Sequence, residues 1–186
     1  MKGIIFNLLE MLVEDEEGDA LWESLLDEAG VSGVYTALGS YADEELIALI
    51  CGLAAHRDLP IDTVLHWFGR RSIPILADRY PEFFEPHVST ISFLMTLNDV
   101  IHAEVRKLYP GAEVPVFDFA LGKDAIDDRD TPTLTMVYHS HRSMCALAEG
   151  FATGAAEHFG EAIHLEQLEC KKMGAEACVL SIRISG

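Results

Sequence analysis

The stretch that decides the fold is Thr133-Leu134-Thr135-Met136-Val137-Tyr138-His139-Ser140-His141-Arg142-Ser143-Met144-Cys145-Ala146-Leu147. Its first half alternates polar with apolar, β-branched or aromatic residues, the period of a half-buried strand ending at Tyr138. Its second half opens a helical pattern that runs from about Arg142 to Phe159. Residues 114–119 read as a strand before it, and residues 162–168 and 178–184 as strands after it. Turns or a single helix separate these segments, which predicts an α+β fold with a four-stranded antiparallel sheet in order β-β-α-β-β and helices on one side.

Upstream of Pro110 the periodic segments read as helices. Ile4, Ile5, Leu8, Leu9 and Leu12 follow the i, i+4, i+8 rhythm of an amphipathic helix. Residues 19–29 form a second, stopped at Gly30, and residues 43–57 a third, broken by Asp58-Leu59-Pro60. A fourth spans 61–80, with Pro74 expected to kink or split it, and residues 81–84 add a turn. Ser89 is the N-cap of a long helix that ends at Tyr109-Pro110-Gly111. The acidic residues between 124 and 130 read as a loop.

At 186 residues the chain has the length of one domain, and its 49% hydrophobic residues supply a core and an internal pocket. Thirteen basic against thirty-one acidic residues give a formal charge of −18, a field that repels phosphate backbones and anionic lipid. Nucleic-acid and membrane-surface partners are therefore not expected. No apolar run reaches the length of a membrane span. The apolar opening residues are interrupted by Glu10 and followed by acids rather than a cleavage site, which argues for a cytoplasmic protein.

Three groups of residues carry chemistry. Tyr138, Ser140 and Arg142 fall at period two, so an extended backbone would turn two hydroxyls and a guanidinium to one side, beside a helix start. That is an anion site with a bidentate partner for a carboxylate, or else a polar strand end that caps the following helix. His102 lies on an apolar helical stripe with Leu94, Met95, Asn98 and Val105. Alone it reads as a buried, hydrogen-bonded histidine. It has no His or Cys one turn away, which argues against a multi-ligand zinc helix, whereas one imidazole is sufficient for a haem whose porphyrin supplies the other nitrogens. Cys145, Cys170 and Cys178, with His164 nearby, are either core thiols or a zinc set. Cys51 reads as core.

The sequence resembles the haem–nitric oxide/oxygen binding (H-NOX) family, known also as the sensor domain of soluble guanylate cyclase. The resemblance spans the chain. It rests on the opening Met-Lys-Gly-Ile-Ile-Phe-Asn, the Val100-Ile101-His102 helix closing on Lys107-Leu108-Tyr109-Pro110, Pro115 soon after, and Tyr-x-Ser-x-Arg at 138–142. It implies haem b held between a helical N-terminal lobe (1–60) and a C-terminal lobe (61–186). His102 would be the proximal iron ligand, Tyr138, Ser140 and Arg142 the propionate clamp, and Pro115 the residue that distorts the macrocycle. In oxygen-binding members a tyrosine stands five residues after the motif arginine. Here that position is Leu147, and Ile5, Leu9 and Ser72 would complete the distal wall.

An apolar wall implies sensing of nitric oxide, with carbon monoxide also bound and oxygen excluded. Release of the proximal histidine would then signal to a histidine kinase or a cyclic-di-nucleotide enzyme. Some bacterial members carry a zinc-binding cluster whose three thiols match Cys145, Cys170 and Cys178, with Gln167 where the family has histidine. The competing reading is a thiol or zinc redox switch in which haem is secondary. No nucleophile–base pair, phosphate loop or hydrolase elbow points to an enzyme.

Overall fold

The computed structural model describes residues 1–123 and 132–185. The expected acidic loop lies outside them. Four helices open the chain: α1 (Gly3–Glu17), α2 (Asp19–Ala29), α3 (Asp43–Arg57) and α4 (Ile61–Arg79). Gly30 ends α2 in the left-handed region, its N–H returning to the carbonyls of Leu26 and Asp27. Asp43, Glu44 and Glu45 lead α3 while His56 and Arg57 close it, the charge order that the helix dipole favours. Pro74 neither splits nor ends α4, which is helical throughout.

The helix expected from Ser89 to Tyr109 is broken. It divides into α5 (Thr90–Leu94), one π-helical stretch (Leu97–Ile101) and α6 (His102–Leu108). Side chains compete with its backbone. The hydroxyls of Ser92 and Thr96 donate to the carbonyls three residues back. The Asn98 amide bonds both backbone groups of Phe117, donating to its carbonyl at 2.5 Å and accepting from its N–H at 3.1 Å. The widened ladder makes His102 the first residue of α6.

The sheet is as expected, four antiparallel strands in spatial order β1 (Val116–Lys123), β2 (Pro132–His139), β4 (Cys178–Ser185), β3 (Ala162–Glu169). The strand expected at 114–119 starts two residues later and runs to Lys123. The helix after the motif, α7 (Cys145–His158), begins at Cys145 and not Arg142. Ser143 adopts φ +53°, and the Ser140 hydroxyl accepts from the Arg142 N–H, so residues 140–144 are a turn.

Two apolar cores result. One gathers Phe6, Leu9, Trp22, Leu49 and Phe68 from α1–α4. The other places Leu134, Met136, Leu180 and Ile182 of the sheet under α5 and α7. Helices α4 and α7 serve both cores and touch backbone to backbone. A Cβ on Gly150 would meet the His66 carbonyl, one on Gly69 the Leu147 carbonyl, and one on Gly154 would lie 2.5 Å from the Arg70 oxygen. Among the described residues no helix is long and apolar enough to cross a membrane.

Candidate cofactor site

A cavity of about 490 Å³ opens among α1, α4, the α5–α6 segment and α7. That is within the size range of small-molecule and cofactor pockets. Its wall is mostly apolar. His102, with the Pro115 backbone close to its ring, lines it together with Tyr138, Ser140 and Arg142. The same three motif residues border a second, polar cleft of about 530 Å³ that also includes Arg106, Lys171 and Glu176. The motif thus stands between an apolar chamber and a polar opening.

His102 is the candidate ligand. Its ring packs 5.8 Å from that of Phe117, and Nδ1 is buried without a well-aligned hydrogen bond. Burial lowers its pKa to about 4. Arg106 adds to the effect and the Pro115 carbonyl opposes it. The imidazole is therefore neutral at pH 7, the form that binds a metal without first losing a proton.

The clamp residues meet although their backbone is a strand end followed by a turn. Burial raises the pKa of Tyr138, and hydrogen bonds to its oxygen from Ser140 and the Met144 backbone oppose the shift. The Arg142 side chain is 9% exposed. Its Nη1 donates to the Glu113 carbonyl at 2.9 Å and Nη2 to Glu113 Oε2 at 3.0 Å. Nε lies 2.7 Å from Asp43 Oδ2, an ion-pair distance at which its N–H is not aimed at the oxygen. Asp43 also accepts from the Met1 amine at 2.6 Å. Burial raises its pKa, but the Met1 amine and Arg142 outweigh this and hold it below the usual carboxylate range.

The far wall needs two corrections. Ile5 and Leu147 line the cavity, as do Ile4 and Leu8, but Leu9 does not. Helical rotation turns Leu9 away into the α1–α4 core, where it is fully buried. Ser72 is buried too, but its hydroxyl donates to the Phe68 carbonyl at 2.7 Å within its own helix and does not face the chamber.

The thiols of Cys145, Cys170 and Cys178 converge, all within 4.8 Å of one another. The Cys145–Cys170 sulfurs are 3.9 Å apart and the Cys170–Cys178 sulfurs 4.0 Å. Thiolates about 2.3 Å from one tetrahedral metal would be about 3.8 Å apart. The Lys171 N–H points at the Cys178 sulfur at 3.4 Å. Gln167 hydrogen-bonds Cys145, whose pKa burial pushes up to about 12. His164 is not in the cluster and pairs with Arg183 in the β3–β4 ladder. Cys178 is the cross-strand partner of Tyr138, so the cluster adjoins the cavity.

Sequence reasoning missed Asn98 as a positioning residue and the Met1–Asp43–Glu113 set around Arg142. Their partners lie 19 to 99 residues away, and no local pattern encodes such contacts. Only the polarity of Asn98 on an apolar stripe was a signal.

A mostly apolar chamber lined by one neutral imidazole and a guanidinium could hold a large anionic cofactor that carries a metal. The Haem-NO-binding family profile matches residues 2–167, and the chain belongs to that family. An H-NOX protein from S. oneidensis in the Fe(II)NO ligation state is 33% identical over the whole of both chains, with a TM-score of 0.90. An unliganded Fe(II) H-NOX protein from K. algicida is 30% identical, covering all of this chain and 97% of that one, with a TM-score of 0.83. The H-NOX from Shewanella woodyi, solved in the Fe(II)CO state with IWP-051 bound, is 29% identical over 100% and 95%, with a TM-score of 0.78. No curated protein matches the sequence.

Proposed function

We propose that this domain is a cytoplasmic nitric oxide sensor that holds haem b in the 490 Å³ cavity, with His102 as the axial ligand and Tyr138, Ser140 and Arg142 binding the propionates. The observation that carries this reading is the neutral, half-buried His102 on the wall of an apolar chamber that Tyr138, Ser140 and Arg142 also line. Haem, when bound, supplies the ferrous iron that takes nitric oxide or carbon monoxide. Leu147 and Ile5 exclude water from the distal side and offer no proton to a diatomic ligand, which disfavours oxygen. Pro115 and His102 line the same wall, so a change in how His102 is held would reach α6 and the loop behind it directly.

The two lobes (1–60 and 61–186) would serve as the two-state element that a signal requires. Its reader would be a histidine kinase or a cyclic-di-nucleotide enzyme, and the domain itself would perform no catalysis. A zinc ion in the Cys145–Cys170–Cys178 cluster would be a structural partner to this site. The converging thiols support that reading and also keep alive a second one, in which thiol or zinc chemistry carries the signal.

One experiment separates them. The reduced, purified protein is examined by visible spectroscopy under argon, air, carbon monoxide and nitric oxide. The expected result is a Soret band that shifts with both carbon monoxide and nitric oxide, is unchanged by air, and is lost in His102→Ala. A stable oxygen complex would refute oxygen exclusion. A full Soret band in His102→Ala would refute the ligand assignment.

A further inference from the structure

Arg142 is already committed to two carboxylates. Asp43 Oδ2 lies 2.7 Å from Nε, and Glu113 receives both terminal nitrogens, one on its carbonyl and one on its carboxylate. His141 adds Nε2 3.7 Å from each of the two acids. Two haem propionates would bring two more carboxylates to this cluster. Carboxylates crowded onto one cation raise each other's energy, so one of the resident acids must give way.

The two acids are not held equally. Asp43 is the first residue of α3, where the helix dipole favours a negative charge. It also receives the Met1 amine at 2.6 Å, and its side chain is 24% exposed. Glu113 has a side chain 69% exposed, in the segment between α6 and β1, two residues beyond Gly111 at φ +77°. Among the described residues its carboxylate meets Arg142 and, at longer range, His141. Asp43 therefore stays and Glu113 leaves.

We propose that Glu113 is a built-in competitor for Arg142, a carboxylate that holds haem affinity down and is expelled from the guanidinium by the propionates. The inference rests on the haem reading above. Glu113 follows α6, which begins with His102, and stands two residues before Pro115. Its expulsion therefore loosens the segment joining two residues of the cavity wall. Cofactor occupancy is thereby registered in the backbone that would carry the gas signal.

The test is haem affinity, measured by competition with a haem-scavenging apo-globin for wild type, Glu113→Gln, Glu113→Ala and the control Glu176→Gln. Glu176 borders the same polar cleft and its removal changes the net charge equally. Both Glu113 variants are expected to bind haem about two- to fivefold more tightly, the range of a partly exposed ion pair, with Glu176→Gln close to wild type. Unchanged or weaker binding in the Glu113 variants would overturn the inference, as would an equal gain in Glu176→Gln. A wild type with no Soret band after haem addition would overturn the haem reading itself and this inference with it, a result visibly different from haem binding that is indifferent to Glu113.

Discussion

Asn98 and Phe117 are joined by both amide hydrogen bonds, side chain to backbone, across 19 residues of chain. The pair fixes a π-helical stretch to the first residues of β1 and so sets where His102 begins its helix. Such stretches recur where a helix serves a site. Asn98→Ala leaves the N–H and carbonyl of Phe117 without partners and should cost about 1–3 kcal/mol. Urea denaturation at constant m-value measures it. If His102 depends on this anchor, haem content falls in the same variant. Wild-type stability in Asn98→Ala would show that water replaces the amide and that the π stretch stands without it.

The buried imidazole predicts a pH dependence with a definite sign. In the folded chain His102 resists protonation down to about pH 4, whereas its unperturbed value is 6.5. As pH falls through that window the unfolded state takes up a proton that the folded state does not, and stability is lost. Above about pH 6.5 the contribution is fully retained, and below about pH 4 no more is lost. The whole term is about 3 kcal/mol at most. Unfolding of cofactor-free protein at pH 7 and pH 4 should show a steeper loss in wild type than in His102→Leu. Parallel losses would place the acid sensitivity in other groups.

On the proposed reading, Leu147 sets the selectivity against oxygen. A buried hydrogen bond to bound, partly charged oxygen would be worth on the order of 1.5–3 kcal/mol, or roughly ten- to a hundredfold in affinity. Leu147→Tyr should therefore shift the ferrous protein toward a stable oxygen complex, read from its spectrum in air. Leu147 is buried on α7 beside the cavity, so the larger ring must fit the space the leucine leaves. A variant that retains haem but binds no oxygen would mean that the hydroxyl does not reach the ligand.

For the thiols, the expectation is close to one zinc per chain after purification without added metal, lost in the Cys145→Ser, Cys170→Ser, Cys178→Ser triple variant. A few hundredths of an equivalent, the same in both proteins, would leave the cluster as buried thiols. Gln167→His tests the fourth position. If a nitrogen ligand is what the site lacks, this change should slow zinc loss to a chelator.

The sequence made the secondary structure legible where one period dominated. The sheet, α1 to α4 and the end of α7 follow from alternation or helical rhythm with ordinary stops. The helix from Ser89 to Tyr109 looked continuous because its apolar stripe is continuous. What breaks it is a contact between Asn98 and a strand not yet formed when the stripe is read. The start of α7 was misplaced because Ser143 adopts a positive φ with no glycine to announce it. Within the site, His102 and the clamp residues stood out by type and spacing. The carboxylates around Arg142 did not, because acids are abundant in this chain and only the fold selects two of them.

The glycine contacts between α4 and α7 have a mechanical consequence. Where side chains separate two helices, they can change rotamer and absorb a small displacement. Here the carbonyls of His66, Arg70 and Leu147 rest directly on glycine backbone, and no compressible layer lies between the two rods. Such a joint has no backlash. A push on the first turn of α7, where Leu147 meets the cavity and Cys145 meets the thiols, would bear directly on the backbone of α4. The pair turns as one lever, and what happens at the chamber wall is felt at the far ends of both helices.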